Sequence, residues 1–391
     1  MTAFPVHELK NELTDRIIPY WSALADYENG GFTGSVTDDL VRHPESPKGC
    51  ILHSRILWFF SNVYMLLGDE NLLSLAEHTY RFIMEKCIDS DNGGIFWSVT
   101  AKGEPCDTTK HTYNQAFAVY ALSSYSIAAK DKKAFDKAME LFELIESRCR
   151  DDGGYLEAFD VQWTPASNEK LSENGVMAHR TMNTLLHIIE GYTELVRAGG
   201  GEKVKEALRR ALDTVSEKVY SEEKERLEVF FDAQMNSIID LHSYGHDIEA
   251  AWLIDRACEV LADGVMTAKM RVITGKLEDK IIKTAFTQKG LLNECCRGEV
   301  NRLRIWWVQA EAVTGFINAW QKRNDRTDFL NAANSIWKYI KDSVIDKRPG
   351  SEWLWEIDEN GERNRKRALT DEWKCPYHNG RMCIEIIRRL G

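Results

Sequence analysis

The sequence lacks the features of a membrane or nucleic-acid-binding protein. Its 391 residues carry a net charge of −11, whereas a nucleic-acid binder needs a basic face to meet phosphates. No run reaches the roughly 18 to 20 apolar residues of a bilayer span. The nearest, 56–68, is interrupted by Ser61 and Asn62. Residues 1–13 lack the residue order of a signal peptide. We therefore expect a cytoplasmic protein that binds neither membranes nor nucleic acid.

Cysteine pairs and cofactor-binding motifs are also missing. The nine cysteines include no Cys-x-x-Cys pair, so we expect reduced thiols. No Gly-x-Gly-x-x-Gly fingerprint supports a bound nicotinamide. His242, His246 and Glu249 have a spacing that metal ligands could use, but Gly245 falls between the histidines and His-Glu-x-x-His is absent. The sequence predicts neither a metal nor an organic cofactor.

Glycine pairs recur along the chain. They begin at Gly30, Gly93 and Gly153, which are 63 and 60 residues apart, and looser equivalents continue the period. Each pair predicts a turn followed by a short extended segment. The second turn, which starts at Asp89, begins like a calcium loop, but an EF-hand needs a glutamate where Thr100 stands. A plain turn is the better interpretation.

Two kinds of helical segment alternate between these turns. Amphipathic segments include 69–87, 133–149 and 202–220. The other kind is apolar on nearly every side, and the segments are 56–65, 116–129, 184–196, 248–261, 310–320 and 381–390. Because such helices must be buried, the alternation predicts an all-α fold, an (α/α)6 barrel of six helical hairpins with short β segments in the rim loops. No linker interrupts it, so residues 1–391 are predicted to form a single catalytic domain.

Polar and aromatic residues precede each predicted inner helix. The six positions are marked by Arg55, Tyr113, Asn183, His246, Trp307 and His378, at steps of 58, 70, 63, 61 and 71 residues. This spacing follows the repeat, so we expect the side chains to surround one pocket. Imidazole exchanges protons near neutral pH, and Glu249 lies three residues after His246, where it could orient the ring. Tryptophans at the rim suit the apolar faces of sugar rings.

Five segments resemble the cellobiose 2-epimerases of the N-acylglucosamine 2-epimerase superfamily. They are LHSRILWFFS, KHTYNQAFAVYALSS, HSYGHDIEAAWL, RIWWVQAEAV and WKCPYHNGRMC. The resemblance runs in order along essentially the whole chain. It implies an (α/α)6 barrel that needs no cofactor. It also implies reversible C2 epimerisation of the reducing-end glucose of β-1,4-linked disaccharides, from cellobiose to glucosylmannose and from lactose to epilactose.

The resemblance assigns roles to ten residues. The family's acid/base histidines correspond to His246 and His378, and a third active-site histidine corresponds to His187. The sugar-contacting positions correspond to Arg55, Tyr113, Asn183, Glu249, Glu294, Trp307 and Trp373. In the mechanism that these residues support, the sugar ring opens and one histidine removes the C2 proton to give a cis-enediolate. A proton then returns to the opposite face of C2.

Other functions remain open at this point. An aldose–ketose isomerase of mannose or glucose, or an N-acylglucosamine 2-epimerase, would use the same histidines. A glycoside hydrolase on the same barrel would need two carboxylates that flank the scissile bond. A non-catalytic scaffold of helical repeats would present an open concave surface. We expect a small disaccharide as the binding partner, and a monomer or a weak homo-oligomer.

Overall fold

Twelve helical segments form two concentric rings in the computed structural model, which describes residues 3–391. The six inner helices are Cys50–Leu67, Thr112–Ala129, Met182–Arg197, Tyr244–Leu261, Trp306–Lys322 and His378–Leu390. Each inner helix packs on the next, and the sixth packs on the first, so the inner ring is closed. The predicted (α/α)6 barrel is confirmed.

The outer helices surround this ring and alternate with the inner helices along the chain. They are Val6–Glu12 with Leu13–Ile17 and Ile18–Ser22, Glu70–Phe82 with Ile83–Cys87, Lys132–Arg148, Gly201–Thr214 with Val215–Val219, Gly264–Thr284, and Thr327–Tyr339 with Ile340–Val344. In Gly201–Thr214 the buried residues recur three or four positions apart, which corresponds to one stripe of an α-helix. The outer helices therefore bury one face against the ring.

The first inner helix, Cys50–Leu67, is buried continuously from Cys50 to Val63. It has 18 residues and a mean hydropathy of 1.3, so it is long and apolar enough to cross a membrane. The sequence prediction that no segment reaches this length was wrong, because the helix starts before the apolar run that was considered. In the barrel, 78% of it is buried inside the protein, as in the core helices of globular proteins.

All six inner helices begin earlier than their apolar patterns indicate, by two to six residues. Their first turns carry the polar residues that interrupted the pattern, such as Tyr113, Asn183 and His246. These side chains therefore belong to the helices and not to the loops before them. Helical geometry fixes their direction more rigidly than a loop would.

Short antiparallel strands join neighbouring repeats at one rim of the barrel. The pairs are Lys48–Gly49 with Ser98–Val99, Lys110–His111 with Ala158–Phe159, Arg180–Thr181 with Phe230–Phe231, Leu241–Ser243 with Glu294–Cys296, and Arg304–Ile305 with Glu356–Ile357. Two edge strands, Pro105–Asp107 and Glu299–Asn301, extend these sheets. A bridge between Val36 and Thr370 joins the sixth repeat to the first. The rim is thus continuous and positions the first turns of the inner helices.

The repeated turns are small hairpins next to this rim. Three of them are paired as Arg150–Asp151 with Gly154–Tyr155, Tyr220–Ser221 with Arg226–Leu227, and Phe286–Thr287 with Gly290–Leu291. Gly30 and Gly93 have φ values of +79° and +76°, in the left-handed region that glycine tolerates. Asp89 accepts the backbone N–H groups of Asp91 and Asn92, as in a turn.

An ion pair connects most of these turns to the segment that precedes the inner helix of the same repeat. In the first repeat Lys48 Nζ lies 2.7 Å from Asp26 Oδ2 and donates to the carbonyl of Gly30. We call such a pair a turn lock. The turn locks are Lys48–Asp26, Lys110–Asp89, Arg180–Asp151 and Lys374–Glu352. In three repeats they fasten the turn to its rim strand, and Lys374–Glu352 fastens the sixth turn to the loop before the last inner helix.

Candidate active site

One cavity of about 460 Å³ lies at the rim end of the barrel, over the first turns of the inner helices. It is lined by all ten residues that the sequence analysis singled out: His246, His378, His187, Arg55, Tyr113, Asn183, Glu249, Glu294, Trp307 and Trp373. The expectation that the six marker residues surround one pocket is met.

Arg381, on the last inner helix, connects the charged residues at the floor of the cavity. Its guanidinium is fully enclosed and pairs with the carboxylates of three glutamates, one from each of the third, fourth and fifth inner helices. They are Glu190, Glu249 and Glu311. Four of the six inner helices therefore meet in a single ionic cluster. A buried guanidinium with three carboxylates leaves an excess of negative charge, which favours retention of a proton.

Glu249 is the member of this cluster that retains the proton. Burial, followed by repulsion from Glu311, raises the pKa of Glu249 to about 8. Its Oε2 atom has no hydrogen-bond partner among residues 3–391. Burial also raises the pKa of Glu311, but this side chain accepts hydrogen bonds from Arg381, from Trp252 Nε1 at 2.9 Å and from His378. Three donors stabilise the ionised form of Glu311, so the proton resides on Glu249.

His378 is held by Glu311. Its Nδ1 lies 2.7 Å from Glu311 Oε1 and 3.9 Å from Glu249 Oε1. Burial, together with the charges of Arg381 and Arg55, lowers the pKa of His378 well below its usual range. We therefore assign a neutral imidazole that donates Nδ1–H to Glu311. Its Nε2 then carries a lone pair and is available as a base.

His187 is arranged in the same way on the third inner helix. Its Nδ1 lies 2.9 Å from Glu190 Oε2, and burial lowers the pKa of His187. Burial would raise the pKa of Glu190, but the charge of Arg381 and the hydrogen bond from His187 outweigh it and lower this pKa to about 2. Glu190 is thus a carboxylate, which also accepts from Tyr377 Oη at 2.5 Å. His187 is left with a free Nε2.

His246 has a different partner from the one expected. Its Nδ1 lies 2.7 Å from the hydroxyl of Ser243, whereas Glu249 is paired with Arg381. The expectation that Glu249 orients His246 was wrong, because Arg381 lies nearby and forms the stronger, charged interaction. Burial, with the nearby His187, lowers the pKa of His246 to about 3. A hydroxyl can donate or accept, so His246 can adopt either tautomer.

Trp307 contacts both acid/base candidates. Its ring centroid lies 4.8 Å from that of His246 and 5.5 Å from that of His378. The two imidazoles, from the fourth and sixth inner helices, therefore flank one indole ring in one cavity. Gly245 makes this approach possible, because a Cβ atom there would stand 2.6 Å from the Trp307 ring.

Arg55 is a buried cation without a carboxylate partner among residues 3–391. It donates to Tyr113 Oη at 2.8 Å, and its guanidinium carbon lies 4.3 Å from the centre of the Phe117 ring. The pKa of Arg55 is raised, because the nearby hydroxyl and thiol groups, led by Tyr113, outweigh the effect of burial. A fixed positive charge of this kind can stabilise an oxyanion.

The remaining predicted residues, Asn183, Glu294 and Trp373, also line the cavity. Asn183 Oδ1 is buried and has no hydrogen-bond partner among residues 3–391. Burial, and then repulsion from Glu173, raises the pKa of Glu294. Trp373 contacts Tyr113, with ring centroids 6.2 Å apart. Hydrogen-bonding groups beside aromatic rings suit a carbohydrate.

A metal site has one candidate here. Ligand atoms of Glu249, Glu311 and His378 lie within 4.8 Å of one another, the one such group found in residues 3–391. The Arg381 guanidinium donates to both of these glutamates, so a cation of the protein already pairs with them. The different set that the sequence suggested does not form, because His242 Nε2 bonds to Asp247 at 2.8 Å.

The sequence analysis missed the charged residues beneath the histidines. Glu190, Glu311 and Arg381 were treated as parts of buried helices. Tyr377 was placed in the polar segment before the last inner helix and given no role, and Ser243 was not noticed. One signal could have revealed most of them. Glu190 and Arg381 each lie three residues after an active-site histidine, and Glu311 lies four residues after Trp307. On a helix this spacing places both members of a pair on one face.

Known proteins resemble the chain over nearly its full length. The profile of the N-acylglucosamine 2-epimerase family matches residues 30–379. A cellobiose 2-epimerase of Ruminococcus albus is 50% identical over 384 residues, covering 98% of each chain. The solved structure of a sugar epimerase from a ruminal bacterium has a TM-score of 0.98 at 48% identity, covering 99% of this chain and 100% of the other.

A second solved structure, a cellobiose 2-epimerase from Bacillus thermoamylovorans, has a TM-score of 0.95 at 42% identity and covers 98% and 99% of the two chains. A D-mannose isomerase structure, at 18% identity and a TM-score of 0.84, shares the fold. The sequence match, the closed barrel and the cavity above the inner helices lead to one conclusion. The chain belongs to the N-acylglucosamine 2-epimerase family.

Proposed function

We propose that this chain is a cellobiose 2-epimerase, which interconverts glucose and mannose at the reducing end of β-1,4-linked disaccharides. One observation carries the proposal. Two neutral imidazoles, His246 and His378, come from distant parts of the chain and contact the same Trp307 ring inside one cavity. Two proton-exchanging groups at one site are the simplest means of inverting a carbon beside a carbonyl.

Ring opening needs a base at O1 and an acid at O5. His246 accepts the O1 proton at Nε2 when Ser243 accepts its Nδ1–H. Glu249 supplies a proton to O5, since it is the protonated member of the buried cluster. His187 accepts a hydrogen bond from a sugar hydroxyl through its free Nε2. The open-chain aldehyde makes the hydrogen on C2 acidic.

Inversion at C2 follows. His378 Nε2 removes the C2 proton, and the electron pair forms the C1–C2 double bond of a cis-enediolate, with its negative charge on O1. Arg55 stabilises this charge, and Glu311 stabilises the imidazolium of His378. His246, protonated in the previous step, returns a proton to the other face of C2. On ring closure O5 returns its proton to Glu249, and His378 passes its proton to O1, so all groups regain their starting states.

The test is incubation with cellobiose in D2O, followed by chromatography and mass spectrometry. We expect glucosylmannose that carries one deuterium at C2. Glucosylfructose as the main product would identify an aldose–ketose isomerase instead. Release of free glucose would identify a hydrolase, and an unlabelled epimer would rule out proton exchange at C2.

Further parts of the proposal concern substrate range and cellular context. Lactose carries the same reducing-end glucose in a β-1,4 linkage, so we propose that it is converted to epilactose. We also propose a cytoplasmic enzyme that is a monomer or a weak homo-oligomer and has no membrane or nucleic-acid partner. Light scattering over a range of protein concentrations tests the oligomeric state, and product analysis with lactose tests the substrate range.

A further inference from the structure

The fifth repeat contains the cation of a turn lock, but the carboxylate that would pair with it is missing. Arg304 occupies the rim strand before the fifth inner helix, two residues before that helix begins, as Lys48, Lys110 and Arg180 do in their repeats. The turn of this repeat pairs Thr287 with Gly290, and the turn of the third repeat pairs Asp151 with Gly154 in the same register. A threonine therefore stands where the lock needs an acid.

Arg304 nevertheless reaches the turn like the other locking cations. Its Nε donates to the carbonyl of Lys289 at 2.9 Å, its Nη1 donates to the carbonyl of Arg302, and its Nη2 lies 3.4 Å from Thr287 Oγ1. The residue is only 7% exposed, and none of the carboxylates in residues 3–391 forms an ion pair with it. Burial, together with repulsion from Arg302, lowers the pKa of Arg304 and outweighs the opposing effects of Tyr339 and Glu359.

Arg304 lines a cavity of about 370 Å³ that is separate from the active site. Lys289, Ser335 and Tyr339 supply further hydrogen-bond donors around it. The carboxylates that line this cavity either bind other groups of the protein or are exposed to solvent. Asp342 pairs with Lys338, Asp358 accepts the N–H groups of Asn360 and Glu362, and Glu359 is exposed.

We propose that this cavity is an oxyanion site, in which a free anion of phosphate size replaces the missing carboxylate of the fifth turn lock. Arg304 binds the anion through its planar guanidinium, and Lys289 and Tyr339 complete the set of donors. The bound anion ties the Phe286–Leu291 turn to the strand Arg304–Ile305. That strand leads directly into Trp306 and Trp307, so the anion supports the rim beside the active site.

The experiment measures the thermal unfolding of the full chain during titration with inorganic phosphate, with chloride keeping the ionic strength constant. We expect the midpoint of the wild-type protein to rise saturably by about 2–4 °C. Arg304→Met should not respond to phosphate. Lys132→Gln removes an exposed cation on the outer helix Lys132–Arg148, which does not line this cavity, and the variant should respond to phosphate like the wild type.

A second variant restores the lock within the chain. Thr287→Asp should raise the unfolding midpoint without phosphate and abolish the response to it, and epimerisation should be unchanged because Thr287 lies outside the active-site cavity. A phosphate response of Thr287→Asp equal to that of the wild type would overturn the proposal. So would the absence of any wild-type response. The unfolding measurements use substrate-free protein, so their outcomes are independent of the proposed epimerase function.

Discussion

In both His246 and His378, one ring nitrogen forms a hydrogen bond with a neighbouring side chain and the other is free to contact the substrate. We predict that His246→Ala and His378→Ala each lower kcat for epimerisation by about 10²- to 10⁴-fold or more, because each removes a proton-transfer group. The unfolding midpoint should change little by comparison. Steady-state assays with cellobiose, alongside circular dichroism, provide the measurement.

The control for these variants is His7→Ala, which removes an exposed histidine of the first outer helix and should leave kcat unchanged. Near-wild-type turnover by either active-site variant would exclude that histidine from the acid/base role.

The enclosed histidines also determine the pH dependence of the reaction. The pKa of His246 is lowered to about 3 and that of His378 is also lowered, so both bases stay neutral well below pH 6.5. On the alkaline side, Glu249 loses its proton near pH 8. We predict that kcat/KM stays constant as the pH falls through 6.5. It should decline as the pH rises through about 8. An acid limb centred at 6.5 would show that the histidines are not desolvated.

At the scale of elements, the inner helices approach one another through small residues. Gly191 of the third inner helix faces the second, and a Cβ atom there would lie 2.8 Å from the carbonyl oxygen of Ala116. That oxygen is part of the backbone and cannot rotate away. We predict that Gly191→Ala destabilises the protein by about 1–3 kcal/mol, measured by urea unfolding.

A second glycine-to-alanine substitution distinguishes the effect of close packing on stability from the effect of helix propensity. Gly275 also lies inside a helix, Gly264–Thr284, but the nearest atom to its added Cβ is Arg323 Nη1 at 4.0 Å. Gly275→Ala should therefore stabilise the protein by about 0.5–1 kcal/mol, because alanine favours the helix. Equal effects of the two substitutions would contradict the close approach at Gly191.

The helices show what could be predicted from sequence. Hydrophobic periodicity located both rings, because buried and amphipathic helices have distinct patterns. It placed the inner-helix starts too late, because the first turns point polar side chains into the cavity. The partners of His246 and His378 could not be predicted, since Ser243 and Glu311 act through side-chain geometry. Glu249 bonds to Arg381, which lies 132 positions later in the sequence, and therefore does not orient His246.

At the scale of the whole molecule, Arg381 links four helices at the floor of the cavity. Arg381→Met would remove the cation that the three buried glutamates share. We predict a loss of about 3–5 kcal/mol in the free energy of unfolding, together with loss of epimerisation. The exposed control Arg81→Met should unfold like the wild type. A stability loss within about 0.5 kcal/mol of that control would show that the glutamates do not need this cation.

The position of His378 and Arg381 on the sixth inner helix has a consequence for biosynthesis. A ribosome adds these residues after the five preceding hairpins, so a nascent chain holds Glu190, Glu249 and Glu311 before their common cation exists. Until then the acidic side chains repel one another and favour hydrated, open arrangements of their helices. Emergence of the sixth inner helix supplies that cation, so we expect closure of the inner ring and completion of the cavity to occur together.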